Sequence, residues 1–237
     1  MITVLVDRPL DSRGGRWSLT TEERHHLRVR RAGEGEPVRV LDGAGRVGEG
    51  RLIPGDQGLA VEVARVRELP PPPPLALVVG AGDRERFGWV VEKAVELGAT
   101  EVVPLETEHT AGVATRVRPA QLPRLQRRAR EALKQCGALW APAVLPPMRV
   151  LEVLARYVAG ERWLADPEGE SAPRSEPDDA VTVVVGPEGG LTQSEREAFQ
   201  SAGYLPVRLG PYTLRFETAA LAAAALVAQR RNRGVHV

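Results

Sequence analysis

The sequence has a single cysteine, Cys136, among its 237 residues, so an internal disulfide is excluded. Its four histidines, His25, His26, His109 and His236, show no clustered ligand spacing, and no metal is expected. No apolar run approaches the ~18 residues that a membrane span needs. The opening MITVLVDRPLDSRGG has no basic segment ahead of a long apolar stretch, so no secretory signal is expected. Together these absences make the cytoplasm the expected location. Lysine is scarce as well: Lys93 and Lys134 are the only lysines among 32 basic residues, and the rest are arginine.

The formal net charge is only +1, but the basic residues are unevenly spread. Arginine engages phosphate and carboxylate through paired N–H donors and stacks on bases. A GC-rich coding bias accounts for the arginine total, so the clustering is the informative part. Residues 24–31 read RHHLRVRR. Residues 116–134 carry seven basic side chains (Arg116, Arg118, Arg124, Arg127, Arg128, Arg130, Lys134) against one acid, Glu131, a local balance of +6. One such run is usually a solvated face. Two in a nearly neutral chain point to a polyanionic partner, nucleic acid first.

Hydrophobic residues make up 43% of the chain, enough for one large or two modest cores. Residues 70–74 are five consecutive prolines. They continue neither a helix nor a central strand and favour a stiff spacer. The expected organisation is a domain over 1–69, a linker over 70–74 and a second domain over 75–237. In the first, strand signals fall at Thr3–Val6, Arg16–Leu19, Val38–Leu41, Arg46–Leu52 and Leu59–Arg67. One helix is expected over Thr21–Arg31, capped by Thr20 or Thr21. This is the pattern of a small β-barrel with one helical insert.

After the prolines, strands alternate with helices. Strands are expected at Leu75–Val79, Val102–Leu105, Arg162–Ala165, Val181–Val185 and Pro206–Leu209. Helices are expected at Phe87–Leu97, Gln121–Gln135, Gln193 to about Ala202, and Thr218–Arg231. Thr192 to Glu195 has the Ser/Thr-x-x-Glu spacing of a capping box. Continuous apolar strands between helices predict an α/β domain with a mainly parallel sheet covered on both faces. Residues 167–180 read as a polar loop.

The stretch TVVVGPEGGLTQSE (Thr182–Glu195) joins an apolar strand to a capped helix through Gly186–Gly190. Ligands of open parallel sheets sit outside the carboxyl ends of the strands. Glycines there let the backbone approach a ligand, and the amides of the next helix attract acceptors. A tight turn that merely leads into the helix explains the same residues equally well. The glycine spacing is not G-x-G-x-x-G, and no P-loop lysine follows. A second strand ends in Leu209-Gly210-Pro211, with Arg215 and Glu217 entering the next helix. That pair, taken alone, is more often a surface salt bridge. Lys93 and Glu96 read as an i,i+3 surface pair.

In order along the chain, Glu92-Lys93-Ala94-Val95-Glu96-Leu97-Gly98 with Pro104-Leu105, Gly186-Pro187-Glu188-Gly189-Gly190-Leu191, and the run from Leu209 to Ala219 resemble the RsmE family. These are small-subunit ribosomal RNA uridine N3-methyltransferases of the SPOUT superfamily. His25 to Arg31 resembles a stretch of that family's first domain, so the likeness covers nearly the whole chain.

The resemblance implies a PUA-like RNA-binding β-barrel followed by an α/β SPOUT domain with a deep trefoil knot. It implies an S-adenosylmethionine cofactor (SAM), a homodimer, and 16S rRNA of the small ribosomal subunit as substrate, with neither metal nor membrane. The cofactor would lie against Leu164, Ala165, Gly186, Pro187, Glu188, Gly189, Gly190, Leu209, Gly210, Leu214 and Thr218. Arg215 would stabilise the uracil anion, with Glu217 positioning Arg215 or assisting proton removal. Arg28, Arg30, Arg31, Arg127, Arg128 and Arg130 would contact RNA phosphates.

The chain departs from the family's usual pattern at three places. Thr107-Glu108-His109-Thr110 stands for Thr-Glu-Arg-Ser, and Gln135-Cys136-Gly137-Ala138 for Gln-x-Gly-Arg. Tyr212, Thr213 and Phe216 replace the residues around the Leu-Arg pair. A SPOUT methyltransferase for another RNA position, and a non-catalytic RNA-binding assembly factor, are the alternatives.

Overall fold

The structure, a computed structural model, describes residues 1–173 and 179–232. Part of the expected 167–180 loop, and His236, lie outside these residues. Two compact units emerge. One holds Met1–Pro71 with Arg130–Ala141, and the other holds Pro72–Ala129 with Pro142–Val237. The boundary after Pro71 falls inside the proline run. The second boundary is a difference from the sequence reading, which gave all of 75–237 to one domain.

The first unit contains β1 (Ile2–Leu5), β2 (Gly15–Ser18), α1 (Thr21–Val29), β3 (Pro37–Leu41), β4 (Arg46–Gly55) and β5 (Gly58–Glu68). The strands form a sheet in the order β1-β3-β4-β5-β2. β1 and β3 run parallel and the other pairs antiparallel. In hydrogen-bond order β1 and β2 are the edges, so the small barrel is open. Its core is Val4, Val6, Leu10, Val38, Val40, Leu52, Val61 and Val63, with Leu27 of α1 packed in. Thr20 caps α1 by accepting from the Glu23 amide at 3.1 Å.

Segment 130–141 joins this unit through polar contacts that no local pattern announces. Lys134 Nζ lies 2.6 Å from Glu23, whose side chain is 2% exposed. Burial holds the Glu23 carboxyl above its ordinary range, against the pull of Lys134. The Arg130 guanidinium donates to the Val6 carbonyl at 2.9 Å and the Asp42 carbonyl at 3.2 Å. Trp140 Nε1 donates to the Leu69 carbonyl.

The second unit begins with β6 (Leu75–Gly80), α2 (Arg84–Glu96), β7 (Glu101–Glu106) and α3 (Glu108–Ala111). The helix α4 (Leu122–Cys136) contains the unit boundary. There follow β8 (Ala143–Val144), β9 (Met148–Arg149), α5 (Val150–Arg156), β10 (Glu161–Glu170), β11 (Val181–Val185), α6 (Gln193–Ser201), β12 (Leu205–Val207) and α7 (Phe216–Asn232). The strand order is β12-β10-β11-β6-β7-β8, with β9 also on β7, and every pairing is parallel.

β6 and β11 are buried along their whole length, as strands covered on both faces must be. α2 and α7 pack together, and α7 also lies on β6 and β11. Its buried face is small, with Ala219, Ala220, Ala223, Ala224 and Val227, so the helix can lie close to the sheet. A second core gathers Val78, Val103, Leu105, Leu164 and Val184 with Val153 of α5 and Phe199 of α6.

Two expectations need correction. β10 runs on to Glu170, past the point where a polar loop was expected, and Glu170 pairs with Val207 after an irregularity. β12 stops at Val207, so Leu209 lies in the following loop. Lys93 does pair with Glu96 at 2.7 Å, as the spacing predicts.

Candidate functional site

β12, β10 and β11 are parallel neighbours, so their carboxyl ends share one edge. At that edge the second unit has a cleft of about 340 Å³, within the ~300–1,000 Å³ usual for cofactor sites. Three segments line it: Leu164–Pro167 from β10, residues between Val185 and Leu191 after β11, and residues between Val207 and Phe216 after β12. Leu164, Val185, Leu191, Leu209, Leu214 and Phe216 give it an apolar wall. Asp166, Glu188, Arg196 and Arg215 give it charge.

The glycine loop is fixed from several sides. A Cβ on Gly80, the last residue of β6, would lie 2.5 Å from Pro187 Cδ and 2.8 Å from the Gly186 carbonyl carbon. Only a glycine lets the loop sit this close to the sheet. The loop closes with a hydrogen bond from the Gly190 amide to the Pro187 carbonyl at 2.8 Å. Gly190 has φ +72°, a left-handed conformation that favours glycine. Thr192 and Glu195 then form the predicted capping box. Glu195 also accepts from the Glu108 amide of α3 at 2.9 Å. His109, in the same short helix, holds the Gly190 carbonyl through Nδ1 at 2.9 Å. α3 therefore clasps the loop at Gly190 and the helix that follows it at Glu195.

That clasp changes the reason for one glycine. Gly189 does not line the cleft, and its missing Cβ would lie 3.3 Å from His109 Nδ1. The glycine makes room for His109.

The charges form two groups. Arg86 of α2 lies 3.8 Å from Asp83, 3.9 Å from Glu188 and 3.7 Å from Glu217. Arg196 pairs at 2.7 Å with Asp166, whose side chain is 7% exposed. Arg196 Nε and Glu217 Oε2 are buried without a protein partner. Arg215 is exposed at the cleft, and its guanidinium has no hydrogen-bond or ion-pair partner among the described residues.

The structure brings together at the cleft Leu164, Ala165, Gly186, Pro187, Glu188, Gly190, Leu209, Gly210, Leu214 and Arg215. It leaves out Gly189, Thr218 and Glu217. Glu217, in the first turn of α7, makes no hydrogen bond or ion pair with Arg215, which lies in the loop just before that helix. Its carboxylate faces Arg86 instead. Sequence reasoning missed Arg86, Asp166, Arg196 and the supporting Gly80. Of these only Asp166 had a signal, as a carboxylate at the end of an expected strand.

Among the arginines expected to meet RNA, Arg28, Arg30 and Arg31 are exposed at the end of α1 and without side-chain partners among the described residues. Arg127 is exposed. Arg128 is committed to Glu92 at 3.0 Å, and Arg130 to the carbonyls of Val6 and Asp42. Among the described residues no cluster is placed to hold a metal ion, and no helix is long and apolar enough to cross a membrane.

A model of an RNA methyltransferase domain matches residues 70–228, and one of an RNA methyltransferase PUA domain matches residues 19–63. The ribosomal RNA small subunit methyltransferase E of Synechocystis is 34% identical over 225 residues, covering 89% of this chain and 72% of that protein. The protein of that name in Mycobacterium bovis is 32% identical, covering 84% and 80%. The crystal structure of ribosomal RNA small subunit methyltransferase E from Neisseria gonorrhoeae bound to S-adenosyl methionine superposes with a TM-score of 0.84 at 28% identity, covering 97% of each chain. A PUA-type first domain, a parallel-sheet methyltransferase domain and relatives matched over most of both lengths place this chain in the ribosomal RNA small subunit methyltransferase E family.

Proposed function

We propose that the cleft holds SAM and that the chain methylates N3 of a uracil in 16S rRNA. The observation that carries this reading is the cleft itself, where three strand ends meet a partnerless guanidinium, Arg215. Its apolar wall suits an adenine ring. The buried, unpartnered Arg196 Nε in the same wall leaves a polar demand that a polar ligand can meet. Leu164, Ala165, Gly186, Pro187, Glu188, Gly190, Leu209, Gly210 and Leu214 would hold the cofactor.

SAM brings an electrophilic methyl group together with its own leaving group. The N3 proton is lost to solvent water as N3 becomes the nucleophile, and what remains for the protein is alignment of N3 with that methyl and stabilisation of the negative charge left on the uracil ring. Arg215 donates to a uracil oxygen as that charge grows. Arg86, between Glu188 and Glu217, holds the loop after β11 against the start of α7.

The reading includes a homodimer, a trefoil knot in the second domain and action on the small ribosomal subunit, each from the family resemblance, together with the cytoplasmic location expected from the sequence. It assigns RNA binding to residues 1–69 and catalysis to 75–237, with 130–141 completing the first unit.

The test is transfer of labelled methyl to small-subunit RNA lacking the modification. A methyl on N3 blocks the pairing edge of the base, so reverse transcription should halt at one uridine. Methylation without a halt, or on large-subunit RNA only, would reject the reading.

Phosphate contact through α1 makes a separate expectation. Replacing Arg28, Arg30 and Arg31 together with glutamine should lower the salt slope of RNA binding by about 2, at ~0.7 per phosphate on single strands. These three are the informative set, because Arg128 and Arg130 carry intramolecular contacts. An unchanged slope would take α1 off the RNA surface.

A further inference from the structure

Aromatic residues are only 4% of this chain, and most are spent on packing. Phe87, Phe199, Phe216, Tyr204 and Trp163 are all at or below 2% exposure. Tyr212 is the opposite, at 81%. It sits in the loop between β12 and α7 and lines the cleft. Its ring has no aromatic or cation–π contact among the described residues. Three positions on, Arg215 also lines the cleft with its guanidinium unengaged. A lone exposed apolar side chain is ordinary on a protein surface. An exposed aromatic ring and a partnerless cation on one short loop, at the rim of one cleft, are not explained by packing.

We propose that Tyr212 is a stacking surface for an unpaired RNA base, and that it presents the target uracil to the cleft. The inference rests on the proposed methyl transfer to uracil and adds how the base is held. The ligand chemistry follows from the residues. A π face accepts any base face-on, and unstacked bases of single-stranded RNA are commonly bound on aromatic side chains. The adjacent guanidinium supplies charge for phosphate or for a base oxygen. Pro211, before the tyrosine, fixes its own φ and limits the freedom of the loop, so less ordering is lost on binding.

The test uses the full-length protein without a methylation step first. A short oligouridylate is compared with an abasic ribose-phosphate of equal length, which has the same charge and no bases. The unaltered protein should prefer oligouridylate by about 10-fold, inside the roughly 5- to 150-fold that one base–aromatic stack is worth. Tyr212→Ala should abolish that preference and leave the salt dependence unchanged, because no charge is removed. Tyr212→Phe should retain it.

Calorimetry with S-adenosylhomocysteine should give the same affinity for all three proteins. In the methylation assay, Tyr212→Ala should raise the RNA KM by about 10-fold. A preference that survives in Tyr212→Ala, or that the unaltered protein never shows, would overturn the proposal. So would a parallel loss of cofactor affinity, which would make Tyr212 part of the cofactor wall. If the protein binds cofactor but methylates no uridine, the functional reading fails, while the oligouridylate comparison still decides the stack.

Discussion

Arg215→Ala is expected to lower the single-turnover rate of methyl transfer by ~100-fold or more, the scale of losing one pre-organised donor to a developing anion. The affinity for SAM should change by less than about 3-fold. The guanidinium makes no ion pair and no hydrogen bond among the described residues, so its removal should cost the fold little. The competing role, a structural pair with Glu217, is absent, because Glu217 faces Arg86 at 3.7 Å. Arg215→Lys keeps the charge but loses the two-pronged donor, and an intermediate rate is expected. Calorimetry and single-turnover methylation on the same samples decide the matter. A rate within about 3-fold of the unaltered protein would remove Arg215 from the reaction, and a matching fall in cofactor affinity would reassign it to binding.

The second large effect is expected far from any reacting atom. Gly80→Ala should weaken SAM binding by ~30-fold or more, equivalent to about 2 kcal/mol. The added methyl meets Pro187 Cδ at 2.5 Å and the Gly186 carbonyl carbon at 2.8 Å. Those atoms belong to the backbone and to a proline ring, and neither can swing aside. Overpacking of this kind typically costs 1–3 kcal/mol. Here the least costly relief is to push the Gly186–Gly190 loop off the end of the sheet. The loss should therefore appear in cofactor calorimetry before it appears as global unfolding. A folded Gly80→Ala protein with unchanged affinity would show that the loop's seat on β6 is irrelevant to the cofactor.

The features that were legible in the sequence are those where local signals agree. β11 is a run of β-branched residues, and the loop after it holds Gly190 at positive φ. Its capping box closes with the partners that the spacing names. The five prolines coincide with the first unit boundary. The features that were hidden depend on partners distant in sequence. His109 meets Gly190 across 81 positions, and Lys134 meets Glu23 across 111. Arg86 looks like any solvent-facing residue of an amphipathic helix until the loop after β11 and the start of α7 come beside it.

The short elements between Gln135 and Arg162 were missed for a related reason. β8 and β9 have two residues each, too few to show a period, and they exist because β7 offers an edge. Pro142, Pro146 and Pro147 break the stretch further. Conversely, the charge run at 116–134 looked like one surface, whereas the structure gives its members separate tasks.

The first unit is assembled from two stretches of chain, and this imposes an order on its birth. Residues 130–141 leave the ribosome about 60 residues after Pro71, a delay of roughly 3–12 s at 5–20 residues per second. During that interval the nascent five-stranded sheet must shelter or expose Glu23 without its lysine. The N-terminal module therefore matures only after its successor has begun to emerge, although it is made first. A fragment that ends at the prolines would lack the lysine that faces Glu23 and the arginine that donates to the carbonyls of Val6 and Asp42.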